Sequence, residues 1–132
     1  MASYSNYQYS PGRALYYKAK EIMILSRHIS DYILPDIAVL NEKGHEDSMV
    51  YCTGDIIRYS NSLIPNIEKA ENEFFQDSRT QYVSAISNLT ERLSRNCERL
   101  ENVNSNGREF VRILRKEIQK FKRLQKTWRL TL

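Results

Sequence analysis

With 132 residues, 41% apolar and 27% charged, the chain can build one core-forming domain. Four Gly and three Pro are too few for the turns of an all-β chain. No apolar run approaches the roughly 18–20 residues that span a bilayer. Net charge is +4, unevenly spread: residues 1–100 hold eleven Lys or Arg against thirteen Asp or Glu, and residues 101–132 hold nine against three. A near-neutral body with a basic end points to a polyanion or an acidic protein surface as partner; the competing reading is an ordinary solvated helix face.

Residues 1–11, "MASYSNYQYSP", are polar and Tyr-rich. They are expected to form a flexible arm ahead of a bundle domain at 12–132, with Tyr4, Tyr7 and Tyr9 as stacking surface. No apolar core preceded by positive charge occurs there, so no signal peptide is read and a soluble, cytoplasmic chain is expected. Helical spacing then runs from about Gly12 to Ile33, with Leu15, Ala19, Ile22, Ser26, Ile29 and Ile33 on one stripe. Pro35 is expected to end this helix, because the residue before a proline is pushed out of the α region. "DIAVLNEKGHED" then reads as a connection turning at Gly44.

A second helix is expected from Asp47 or Ser48, either of which can cap it. Its stripe is Met49, Cys52, Ile56, Leu63, Ile67 and Ala70, and Pro65 within it predicts a kink, not an end. "QDSRTQ" reads as a turn, with Asp77 or Ser78 capping a third helix from about Arg79 to Leu100. That helix presents Tyr82, Ile86, Leu89, Leu93, Cys97 and Leu100 inward. "ENVNSNGRE" is a break rich in turn formers, Gly107 among them, and a fourth helix follows from near Asn106 almost to the end. Four amphipathic helices with short connections predict an all-α, up-down-up-down four-helix bundle.

Cys52 and Cys97 fall on apolar positions, where a free cysteine acts as a small hydrophobe, and neither has metal-ligand spacing to another Cys or His. His28 and His45 are isolated. Without paired carboxylates, a metal cluster, a Gly-rich phosphate loop or an activated nucleophile, no enzyme, metal or cofactor is expected.

The fourth helix separates into two arcs. Phe110, Ile113, Leu114, Ile118, Phe121, Leu124 and Trp128 form one; Arg108, Arg112, Arg115, Lys122, Lys126 and Arg129, with Gln119 in line, form the other, widened by Lys116, Lys120 and Arg123. Like charges at i, i+4 cost a few tenths of a kcal/mol per pair, and acidic residues at helical spacing are nearly absent. Compensating charge is therefore expected from outside the helix, and phosphates supply it well, with Arg offering a planar fork to their oxygens. Arg79, Arg92, Arg95 and Arg99 of the third helix are expected to add to this nucleic-acid-binding field. Glu117 sits within the apolar arc, where it would need a cation on a neighbouring helix or subunit, or a place at the rim. A basic amphipathic helix with Trp and Phe also has the look of a membrane-surface anchor, but the bundle needs that apolar face for its own core.

"SNSLIPNIEKAEN", residues 60–72, resembles the proline-containing second helix of the ribosomal S23-like and accessory-variability group of small bacterial four-helix bundles. "RTQYVSAISNLTERL", residues 79–93, is similar to that group's third helix, which opens on a basic residue followed by Y-x-x-A. The strongly basic last helix looks most like the accessory variability determinant of diversity-generating retroelements. This resemblance implies a homopentamer that binds nucleic acid, RNA or DNA, and a reverse transcriptase. It also implies that the protein assists mutagenic copying of template RNA into cDNA without being the polymerase. The alternative is an S23-like protein-interaction bundle that docks an acidic partner.

Overall fold

The computed structural model describes residues 10–42, 48–102 and 107–132, with side chains given for 10–33, 51–102 and 107–132. The described residues form four helices: α1, Pro11–Glu42; α2, Ser48–Asn72; α3, Gln76–Glu101; and α4, Arg108–Arg129. The fold is the expected all-α four-helix bundle. The helices stand in a ring in which α1 packs on α2 and α4, and α3 on the same two. Their directions alternate. The end of α4 meets the end of α2 where Trp128 Nε1 donates to Glu71 Oε2 at 3.3 Å, and Arg79 early in α3 lines one depression with Arg129 late in α4. Toward the opposite end, Cys52 near the start of α2 bonds to the Asn96 carbonyl late in α3.

The beginning of α1 is written in "SPGR". Ser10 Oγ accepts the Arg13 amide at 3.4 Å and its carbonyl accepts the Ala14 amide at 3.0 Å. Pro11 then occupies the first helical position, where its missing amide costs nothing. The helix does not end before Pro35, as expected, but continues to Glu42. A proline interrupts one hydrogen bond, and the turns on either side keep the ladder going. Residues 36–42 are thus helix and not connection. Gly44, His45 and the Asp47 cap lie outside the described residues, as do the side chains of Ser48 and Met49. Residues 1–9 of the proposed arm and Asn106 are outside them too.

In α2 the helix likewise runs through Pro65. The turn into α3 comes earlier than "QDSRTQ": it is Glu73–Phe75, and Gln76 is already helical. Phe75 holds the N-cap position with no side-chain cap, so neither Asp77 nor Ser78 serves as one. The turn is closed instead by Arg79, whose Nε and Nη2 donate to the Glu73 carbonyl at 3.2 and 2.7 Å. The Phe75 amide donates to Glu73 Oε1 at 3.2 Å.

All six positions of the α1 stripe are buried, and the hydroxyl of Ser26 is satisfied by the Ile22 carbonyl at 2.7 Å. Cys52, Ile56, Leu63, Ile67 and Ala70 of α2 join them, with Ile86, Leu93, Cys97 and Leu100 of α3. Tyr82 and Leu89 are only partly buried against that core. From α4 come Val111, Leu114, Ile118, Phe121 and Trp128. Burial pushes the thiols of Cys52 and Cys97 up to about 11 and about 12, as expected of core fillers. Gly107 has an ordinary backbone, φ −81°, and is there for space. A Cβ at this position would collide with Ile33 and touch Tyr32.

Candidate nucleic-acid interface

The first turns of α4 are fixed by aromatic stacking. Phe110 lies against Tyr32 at 4.9 Å between ring centroids and against His28 at 6.3 Å. Further along, Gln125, polar but buried, donates Nε2 to Ser87 Oγ at 2.8 Å. Ile113, assigned to the apolar arc, is instead about half exposed. Glu117 is held from two sides: Lys18 Nζ approaches Oε2 at 2.6 Å and Lys120 Nζ approaches Oε1 at 3.0 Å. The hydrogen bond from Lys18, with that from Lys120, keeps its carboxyl below the ordinary range, against the opposite pull of burial. For Lys18, burial alone lowers the pKa, but its bonds to Glu117 and Glu21 outweigh that and the net direction is upward.

These contacts rotate α4 so that eight of its nine cations fall into two rows, with Lys120 held against Glu117. Arg108, Arg115, Lys122 and Arg129, spaced by seven residues, line the seam with α3. Arg108 Nε donates to the Glu101 carbonyl at 2.9 Å, near the end of α3, where a cation suits the exposed carbonyls. Arg115 meets Glu101 Oε2 at 2.9 Å. Lys122 meets Glu91 at 2.8 Å and holds that carboxyl below its usual range. Arg129 shares a depression of about 130 Å³ with Gln76, Arg79, Thr80, Val83 and Leu132.

The second row faces outward: Arg112, Lys116, Arg123 and Lys126, all exposed, extend about 21 Å along the helix at 1.5 Å per residue. Arg112 pairs with Glu109 at 3.0 Å, an exposed i, i+3 contact of the kind worth about 0–1 kcal/mol. Among the described residues, Lys116, Arg123 and Lys126 have no ion-pair partner. Compensation from within the protein is thus larger than the sequence suggested, yet incomplete. The nine cations of α4 and Lys18 face five paired carboxylates, Glu21, Glu91, Glu101, Glu109 and Glu117, which leaves five positive charges. Each of those carboxylates meets a cation of the seam or flank, apart from the exposed Glu109.

The third-helix arginines do not join this surface as a group. Arg92 turns toward α2, its guanidinium 5.7 Å from the centre of the Tyr59 ring. Arg99 also lies on the α2 side, close enough to Cys52 to act on its thiol. Arg95 is exposed and stands within electrostatic range of Glu91, so it alone of the three neighbours the α4 seam. Arg79 is committed to the α2–α3 turn through a neutral carbonyl, which leaves its charge uncompensated. The α3 flank toward α4 carries Glu91 and Glu101, and no helical period in α3 alone reveals which partner each carboxylate will meet.

No group of three or more His, Cys, Asp or Glu able to hold a metal occurs among the described residues. None of their helices is long and apolar enough to cross a membrane. No protein-family model matches the chain, and neither the curated proteins nor the solved structures include a match.

Proposed function

We propose that this bundle is a non-catalytic accessory subunit that holds nucleic acid by phosphate contacts along the outward row of α4. The observation that carries this reading is Lys116, Arg123 and Lys126, exposed on one face without carboxylate partners among the described residues. A polyanion that replaces condensed counterions there gains affinity without reading sequence. The retroelement setting rests on the likeness of residues 60–72 and 79–93 to the S23-like and accessory-variability group, and of the basic last helix to the accessory variability determinants within it. In that setting the protein docks a reverse transcriptase and supports mutagenic retrohoming, as a cytoplasmic homo-oligomer, pentameric by the same likeness. Fluorescence anisotropy with a labelled RNA oligomer tests the core of the proposal. Lys116→Glu, Arg123→Glu and Lys126→Glu together should weaken binding at least about a hundredfold at low salt, with the helical circular dichroism unchanged. Equal affinity of wild type and triple variant would refute it.

One observation favours a second reading, an S23-like module that docks an acidic protein. Arg115 and Lys122 already accept carboxylates from α3, so the helix accommodates acidic side chains as well as phosphates. Wild-type protein that binds no RNA or DNA at low salt but retains an acidic partner through the same three residues would establish that alternative.

A further inference from the structure

The turn between α2 and α3 exposes two adjacent phenylalanines, Phe74 at 84% and Phe75 at 68%. Their rings meet edge to face, 5.6 Å between centroids and perpendicular. That geometry cannot sandwich a flat ligand between them, but it presents phenyl faces in two directions. Neither ring supports the core, and the turn is closed by Arg79 and Glu73 without them. Gln76, next in the chain, lines the depression shared by Arg79, Thr80 and Arg129. At about 130 Å³ this hollow suits one phosphate group. Arg129 has no ion-pair partner among the described residues, and Arg79 spends its hydrogen bonds on a neutral carbonyl. Two guanidinium charges thus border one hollow at the end of the α4 seam, and the aromatic pair immediately precedes Gln76 of its lining. Glu73 and Asp77 lie nearby; the Glu73 carboxylate is engaged by the Phe75 amide.

Phosphate-sized space between arginines next to exposed aromatic faces is the combination that holds unpaired nucleotides, whose bases stack on side chains while the backbone follows positive charge. A duplex keeps its bases stacked on one another and gains little from a phenyl face. We infer that this end of the bundle grips a single-stranded nucleic acid, a backbone phosphate seated between Arg79 and Arg129 and a neighbouring base stacked on Phe74 or Phe75. The inference rests on the nucleic-acid reading of α4 and narrows its ligand to strands with unpaired bases.

The test compares three labelled probes of equal length: single-stranded RNA, the same strand with abasic positions, and a blunt duplex. Wild type should bind the intact strand about tenfold more tightly than the abasic one. Phe74→Ala with Phe75→Ala should remove that difference and leave the abasic and duplex affinities within about twofold. Phe74→Trp should retain it. Arg129→Gln, chosen because Arg79 also holds the turn, should weaken intact and abasic strands alike and reduce the salt slope by about 0.7. The inference is overturned if the double alanine variant binds the intact strand as wild type does, or loses all three probes equally. It also falls if the variant loses self-association in light scattering while its RNA affinity stands, which would assign the pair to a second copy. In these cases the triple α4 variant still tests the broader reading, which fails separately if wild type binds none of the probes.

Discussion

Lys18 of α1 and Glu117 of α4 form an interhelical ion pair at 2.6 Å, with side chains only 17% and 14% exposed. The pair fixes the rotation of α4, since Glu117 must point at α1 for Arg115 and Lys122 to point at α3. Glu117→Gln leaves Lys18 with Glu21 as its remaining carboxylate and should cost about 1–2 kcal/mol, below the loss for a fully buried pair because both groups keep some water. The pH dependence follows from the sign of the shift. A carboxyl whose pKa is depressed on folding contributes stability above its unfolded value, ordinarily 4.5, and loses it as pH falls through the folded value. Lys18, shifted up from 10.5, contributes fully below that pH and loses its share only as pH rises through its folded value. Urea denaturation from pH 7 to pH 3 should therefore show a smaller decline for Glu117→Gln than for wild type. Parallel declines would show that the pair is not coupled to folding.

At the start of α4, Gly107 lies against Ile33. Gly107→Ala should destabilise by about 1–3 kcal/mol, the cost of forcing a methyl group into packed space, and Ile33→Val in the same chain should recover part of it. A stability unchanged by the single substitution would mean that this approach relaxes freely.

Cys52 and Cys97 should resist thiol reagents in the folded protein. With a pKa near 11, Cys52 is about one part in a thousand thiolate at pH 8, and both sulfurs are buried. Labelling should be slow in buffer and rapid in guanidinium. Fast stoichiometric labelling of native protein would contradict the burial of the α2–α3 seam.

Because Arg92 and Arg99 face α2, Arg92→Glu with Arg99→Glu should change RNA affinity by less than about threefold at moderate salt, where screening limits their reach to the α4 face. A loss equal to that of the α4 triple variant would restore them to the binding surface.

The helical periods of α1 and α2 carried most of the core in plain view: each stripe residue whose side chain is described is buried. The boundaries were less legible. Pro35 is a strong local signal for ending a helix, and the surrounding ladder overrides it. "QDSRTQ" holds good capping residues, but Arg79 closes the turn three residues earlier by reaching back to the Glu73 carbonyl. The candidate surface was legible as a basic stripe and not as two rows. Separating Arg115 and Lys122 from Lys116 and Arg123 requires knowing that Glu91 and Glu101 stand across the seam, a relation between helices that no single-helix period contains. Phe74 and Phe75 stand beside the expected turn, where two aromatic residues between a helix end and a new start are the available signal.

The most direct measurement is the salt dependence of RNA affinity. Four outward cations, Arg112, Lys116, Arg123 and Lys126, engaging one phosphate each predict a slope of log Kobs against log salt of about −3 on a single strand. Lys116→Glu, Arg123→Glu and Lys126→Glu should flatten what binding remains. A wild-type slope near zero, at any affinity, would contradict phosphate contact along α4.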